Sequence, residues 1–135
     1  MTLCDASALV ALINAGDRNH ARCLAALSTL NAPLLTTWSC FTETMHLLGR
    51  YGGHPAQDEL WGYVAEGLLM IPMPEEGEWE RMRALMQQYR DTPMDLADAS
   101  LVAAAETRNL RRIFTLDSDF YVYRLHGTHA FEVVP

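Results

Sequence analysis

Apolar positions fall into short runs separated by stretches of helical spacing. Thr2–Cys4 is a brief apolar run ending at Asp5, and the aliphatic, small-residue segment Ala6–Ile13 follows directly. That pattern predicts a strand feeding a helix. Gly16-Asp17 breaks the helix, and a second is expected from His20 to Leu30, with Cys23, Leu24, Leu27 and Leu30 on one face. Asn31-Ala32-Pro33 turns the chain into a short strand, Leu34–Thr37. Ser39–Leu48 reads as a helix ended by Gly49 and Gly52-Gly53, and Pro55–Glu66 as another, stopped by Gly67. Leu68–Ile71, bounded by Gly and Pro, has the form of a buried strand.

Glu75–Arg90 is expected to be helical, its acidic start (Glu75, Glu76, Glu78) solvated and complementing the helix dipole. In this helix Met82 and Met86, four apart, mark a packed face. Asp95–Thr107 forms a further helix ended by Asn109, Arg112–Thr115 a strand arriving at Leu116-Asp117-Ser118-Asp119, and Phe131–Val134 a last strand. Strands alternating with helices indicate an α/β sandwich around a mainly parallel sheet. No repeat or linker-like tract divides the chain, so one domain over residues 1–135 is expected. Ligands of such sheets sit beyond the carboxyl ends of the strands, at a topological switch point.

Composition narrows the chemistry. Half of the residues are hydrophobic, the net charge is −7, and all ten basic residues are arginine. Without lysine there is no Walker A loop and no Schiff base. An acidic chain is unsuited to broad duplex binding, but a divalent cation held by carboxylates would reverse the charge locally. Cys4, Cys23 and Cys40 form no C-x-x-C pair, which suggests reduced thiols in a cytoplasmic protein. The start of the chain does not read as a secretory signal, and no stretch approaches a membrane span.

The carboxylates carry most of the information. Asp5 follows the first strand, where it could cap the next helix or face a site. Asp117 and Asp119 follow the strand Arg112–Thr115 and equally suit a turn. Glu43 is not explained by a capping box, because the position three residues before it is Cys40. Asp95 is the natural N-cap of its helix. Asp98, by contrast, shares a face with Leu101, Val102 and Ala105, where an unpaired carboxylate is costly, and it reads as a metal ligand or catalytic carboxylate. Separated carboxylates of this kind suit Mg²⁺ or Mn²⁺ and hydrolysis of a phosphodiester.

Four pieces, in order, resemble the PIN domain family, most closely the small ribonuclease toxins of the VapC type. They are Leu3-Cys4-Asp5-Ala6-Ser7-Ala8-Leu9-Val10, Thr42-Glu43, Asp95-Leu96-Ala97-Asp98-Ala99-Ser100-Leu101, and Ile113-Phe114-Thr115-Leu116-Asp117-Ser118-Asp119-Phe120. The resemblance implies a three-layer α/β/α fold with a parallel sheet. It implies an acidic triad of Asp5, Glu43 and Asp98, with Asp117 as fourth carboxylate, Asp119 competing for that place, and Ser7 and Thr115 in support. It further implies Mg²⁺- or Mn²⁺-dependent endonucleolytic cleavage of single-stranded or structured RNA by activated water. The implied partners are RNA, an antitoxin that places an arginine among the acids, and a second copy of the chain.

Other residues fit less closely. Arg108, Arg111 and Arg112 could contact RNA phosphates, although for Arg108 a solvated helix end is the expectation. Trp38, Trp61 and Trp79 could stack on bases, but core packing or a protein interface is expected of each. His20, His46, His54, His126 and His129 share no metal-ligand spacing. A dehalogenase-like phosphatase needs an Asp where Ser7 stands, as well as a lysine, and a receiver domain fails for the same lysine. The alternative left open is a non-catalytic PIN-fold module that binds RNA or protein.

Overall fold

The computed structural model describes residues 1–135 and has five helices around a five-stranded parallel sheet. Strand β1 (Thr2–Cys4) lies at its centre, flanked by β2 (Leu34–Leu35) and β4 (Arg112–Phe114). Outside these run β3 (Leu69–Met70) and β7 (Glu132–Val134), giving the order β3-β2-β1-β4-β7. The chain therefore builds one side of the sheet first and returns across β1 to build the other. A separate two-stranded hairpin, β5 (Arg124–Leu125) and β6 (His129–Ala130), precedes β7.

Side-chain alternation along the strands feeds two cores. Leu3, Leu35 and Ile113 face one core together with helices α4 (Glu78–Gln88) and α5 (Leu96–Arg108). Cys4, Leu34 and Phe114 face the other, packed by α1 (Ala6–Ile13), α2 (His20–Leu27) and α3 (Trp38–Ala65). These are the three layers expected from the resemblance. Every residue of α5 from Ala97 to Glu106 is buried. Its alanines allow close approach of the sheet on one side and α4 on the other. Met82 and Met86 pack against this core as their spacing suggests, and all three cysteines are free and buried.

Several elements depart from the sequence pattern. The two helices expected over Ser39–Leu48 and Pro55–Glu66 are joined in α3, broken only at Gly53, whose φ of 66° is open to glycine. β2 and β3 are two residues each. β3 is an edge strand, so Met70 is exposed where a buried run was expected. Helix α2 stops at Leu27, and Leu24 faces solvent. None of the tryptophans enters the core: Trp38, Trp61 and Trp79 are 46%, 50% and 67% exposed.

The acidic start of α4 is not uniformly solvated, and neither is the end of α5. Glu78 is buried and accepts hydrogen bonds from Arg108 and from Thr107 Oγ1 (2.6 Å), while Arg108 also donates to the Met73 carbonyl (3.1 Å). Antiparallel packing of α4 on α5 brings the two ends together, which neither local pattern could show. Breaking a buried pair strands the remaining charge. Glu78→Ala is expected to cost about 3–5 kcal/mol in urea denaturation, whereas the double replacement Glu78→Leu with Arg108→Leu should recover most of that loss.

Candidate active site

Parallel pairing of β1 with β4, in register Cys4 with Phe114, makes Asp5 and Thr115 neighbours at the carboxyl edge of the sheet. This is the switch point of the topology, because the chain leaves β1 toward β2 and comes back to β4. Asp5 is buried, and both of its oxygens are engaged. Oδ1 accepts from the Ala6 N–H (2.7 Å), capping α1, and Oδ2 accepts from Thr115 Oγ1 (2.8 Å) and Ser7 Oγ (3.0 Å). The cap and the site reading of Asp5 are therefore compatible. Ser7 and Thr115 also receive the N–H groups of Leu116 and Asp117, each at 3.0 Å, so the same hydroxyls that hold Asp5 shape the segment after β4.

That segment turns on Asp117, whose Oδ1 accepts the Asp119 N–H (2.9 Å) at the start of a 3-10 turn over Ser118–Tyr121. The turn expected of Asp-Ser-Asp is present, and it aims both carboxylates at the start of α5. Ligand oxygens of Asp98, Asp117 and Asp119 lie within 4.8 Å of one another. Both Asp117 and Asp119 therefore stand beside Asp98. Asp98 is at the third position of α5, behind the N-cap Asp95, whose Oδ1 accepts the Asp98 N–H (2.8 Å). Asp98 Oδ2 returns the bond to the Asp95 N–H (3.4 Å), completing a capping box.

Asp5 and Glu43 lie outside the closest trio, but Asp5 acts on Asp98, and Asp117 acts on both Asp5 and Glu43. Burial first, then the nearby Asp95 and Asp5, pushes the Asp98 carboxyl up to about 7 against the opposing hydrogen bond from Tyr123. Asp5 is raised by burial and by Asp117. Glu43, on the second turn of α3, is raised by partial desolvation and by Asp5, Asp95 and Asp117. Asp119 is raised by desolvation and by Asp117 and Asp95. The common first cause is burial, to which neighbouring negative charge adds. The three ion pairs of the chain, Arg81–Glu106, Arg108–Glu78 and Arg112–Glu132, use none of these acids.

An all-oxygen donor set with no cation of its own fits a hard divalent ion. No thiolate joins it, since burial pushes the nearby Cys40 thiol up to about 12. Tyr123 is the functional residue that sequence reasoning misses. Its fully buried hydroxyl donates to Asp98 Oδ2 (2.9 Å), leaving Oδ1 for a ligand. Nothing local marks it out, because a tyrosine beyond a turn reads simply as core. Arg108 and Arg112, two of the arginines considered for RNA contact, lie away from the acid cluster. Arg108 is ten residues along α5 from Asp98, roughly 15 Å, and Arg112 opens β4 at the opposite edge of the sheet, paired with Glu132.

Comparison with known proteins agrees with this architecture. The chain is 26% identical over 132 residues to Ribonuclease VapC26 of Mycobacterium tuberculosis, covering 97% of this chain and 98% of that protein. It superposes on the crystal structure of Mycobacterium tuberculosis VapC20, described as a sarcin-ricin loop cleaving toxin. The TM-score there is 0.84, with 19% identity over the whole of both chains. A chain of a toxin–antitoxin complex from Klebsiella pneumoniae matches with a TM-score of 0.66 and 23% identity, over 89% of this chain and 90% of that one. At those identities the structural likeness is one of fold. The family model for the PIN domain matches residues 2–125, and with the acids standing where the motifs put them, the chain belongs to the PIN domain family.

Proposed function

We propose that the protein is an endoribonuclease dependent on Mg²⁺ or Mn²⁺ and the toxin of a toxin–antitoxin pair, working in the cytoplasm as a single domain. The observation that carries this reading is the meeting of Asp98, Asp117 and Asp119 at the switch point without any basic side chain among them. The names of the relatives, a ribonuclease, a sarcin-ricin loop cleaving toxin and a toxin–antitoxin complex, point the same way. No helix is long and apolar enough to cross a membrane.

Asp98, Asp117 and Asp119 would hold the cation, flanked by Asp5 and Glu43. Bound there, it would supply Lewis acidity toward a phosphodiester oxygen and toward water. The Glu43 side chain makes no hydrogen bond and borders an open groove, which would suit its carboxylate to orient the attacking water and take its proton. Asp5, locked by Ala6, Ser7 and Thr115, holds the β1 and β4 ends together and adds to the negative field. The same uncompensated field would draw a guanidinium from an antitoxin, closing the site when no substrate is present. A second copy of the chain is a further expected partner.

Asp98→Asn and Asp117→Asn are expected to abolish Mn²⁺-dependent cleavage of RNA and the rise in melting temperature that Mn²⁺ brings by linkage. Asp95→Ala should lose about 1 kcal/mol of stability with its cap and retain that rise. An equal loss of the rise in both classes would mean that Asp95, too, is a ligand. Tyr123→Phe should weaken Mn²⁺ affinity by roughly ten- to a hundredfold, read by calorimetry. A shift in stability alone would make Tyr123 a packing residue only.

The raised acids also set a pH dependence. Asp98 binds its proton more tightly in the folded chain than in the unfolded one, so its contribution is largest in acid. It is lost as pH rises from about 4, the ordinary carboxyl range, through about 7. Metal-free protein should therefore lose stability across this window, with Asp98→Asn flattening the trend. Stabilisation by Mn²⁺ should grow across the same window, because only the deprotonated acids bind the ion. Thermal melts at stepped pH, with and without Mn²⁺, check both signs.

A further inference from the structure

Of the three exposed tryptophans, Trp38 alone borders the acids. It opens α3 and lines a groove of about 620 Å³ together with Thr42, Glu43, His46, Asp95 and Leu96. Its ring is held edge-on by Phe41, with centroids 5.7 Å apart, and Phe41 is braced in turn by Trp61 at 4.9 Å. Glu43 follows five residues later on the same helix, roughly 7.5 Å along its axis. A braced, partly exposed aromatic ring thus shares an open groove with the Glu43 and Asp95 carboxylates, beside the start of α5 that carries Asp98.

We propose that Trp38 is a stacking platform for an unpaired nucleobase adjoining the phosphate held at the acid pocket, an inference that rests on the ribonuclease reading. A chain of net charge −7 is unsuited to holding RNA on a broad basic surface. Base–aromatic stacking adds affinity without needing positive charge. It requires a base free of its partner, so the substrate class is single-stranded or looped RNA rather than continuous duplex. The groove around Trp38 carries Thr42, Glu43, His46 and Asp95, whereas the centre of a protein interface is depleted in charge. Trp79 offers the contrast, since it lies on a separate groove against Met82, Met86 and Leu96.

The test is steady-state cleavage of a short single-stranded RNA oligonucleotide with Mn²⁺, using the full chain. Trp38→Ala should raise KM about tenfold with little change in kcat, Trp38→Phe should keep most of the affinity, and Trp79→Ala should change nothing. Oligonucleotides lacking one base at a time should reveal a position whose loss raises KM by a similar factor in the wild type and adds no further penalty in Trp38→Ala. An unchanged KM, or a base-removal penalty equal in the two proteins, overturns the proposal. So does an unchanged KM accompanied by loss of self-association, which would make the groove a protein interface. If the wild type cuts no RNA, the nuclease reading fails instead. Fluorescence of Trp38 in a Trp61→Phe, Trp79→Phe background then decides the matter without Trp38→Ala: quenching by the oligonucleotide supports the stacking site, and its absence rules the site out.

Discussion

Parallel pairing of β1 with β4 is the constraint from which the site follows. It brings together two chain segments more than a hundred residues apart and sets their carboxyl ends side by side, Asp5 against Thr115. The Ser7 and Thr115 hydroxyls then serve both strands, accepting backbone N–H groups from the segment after β4 and giving their protons to Asp5. Helix α5 enters at the same edge, its N-terminus fixed by the Asp95–Asp98 capping box and by Tyr123. Asp5, Asp98 and Asp117 are thus held by backbone or by a hydroxyl, and none of the site's acids is held by an opposite charge.

That pattern is selective. The chain has arginines close to acids elsewhere and uses them. Arg108 is buried against Glu78, Arg81 grips Glu106 with two nitrogens, and Arg112 meets Glu132. Arg108–Glu78 and Arg81–Glu106 tie α4 to the far end of α5, and Arg112–Glu132 is an exposed pair between β4 and β7. At the switch point the acids repel one another, and their carboxyls are raised by burial and by each other's charge. Such an arrangement lowers the stability of the metal-free fold and is retained where binding a cation repays it.

The groove beside α3 extends the logic outward. The stacking site proposed for Trp38 would recognise a base by its face rather than a backbone by its charge, and its exposed ring shares a groove with Glu43 and Asp95. The aromatic chain Trp38–Phe41–Trp61 makes that surface stiff, so little ordering entropy is lost when a flat ligand is laid upon it.

Much of this was legible in the order of residues. Period and punctuation placed all eleven expected segments, because each depends on neighbours within a few positions: Asp95 as a cap, Asn109 as the left-handed stop of α5, Asp5 and Asp117 at strand ends. The motif order was sufficient to indicate the family and the acids to inspect. What only the tertiary structure decided are relations between distant segments. Antiparallel packing buried Glu78 with Arg108, turning an acidic helix start into a core ion pair. The turn after β4 placed Asp119 as well as Asp117 beside Asp98. Tyr123 reached Asp98 from beyond that turn, and the tryptophans stayed outside the core. A local pattern records what a residue does to its own helix or strand, whereas burial and charge are properties of the space around it, which the packing of remote segments creates.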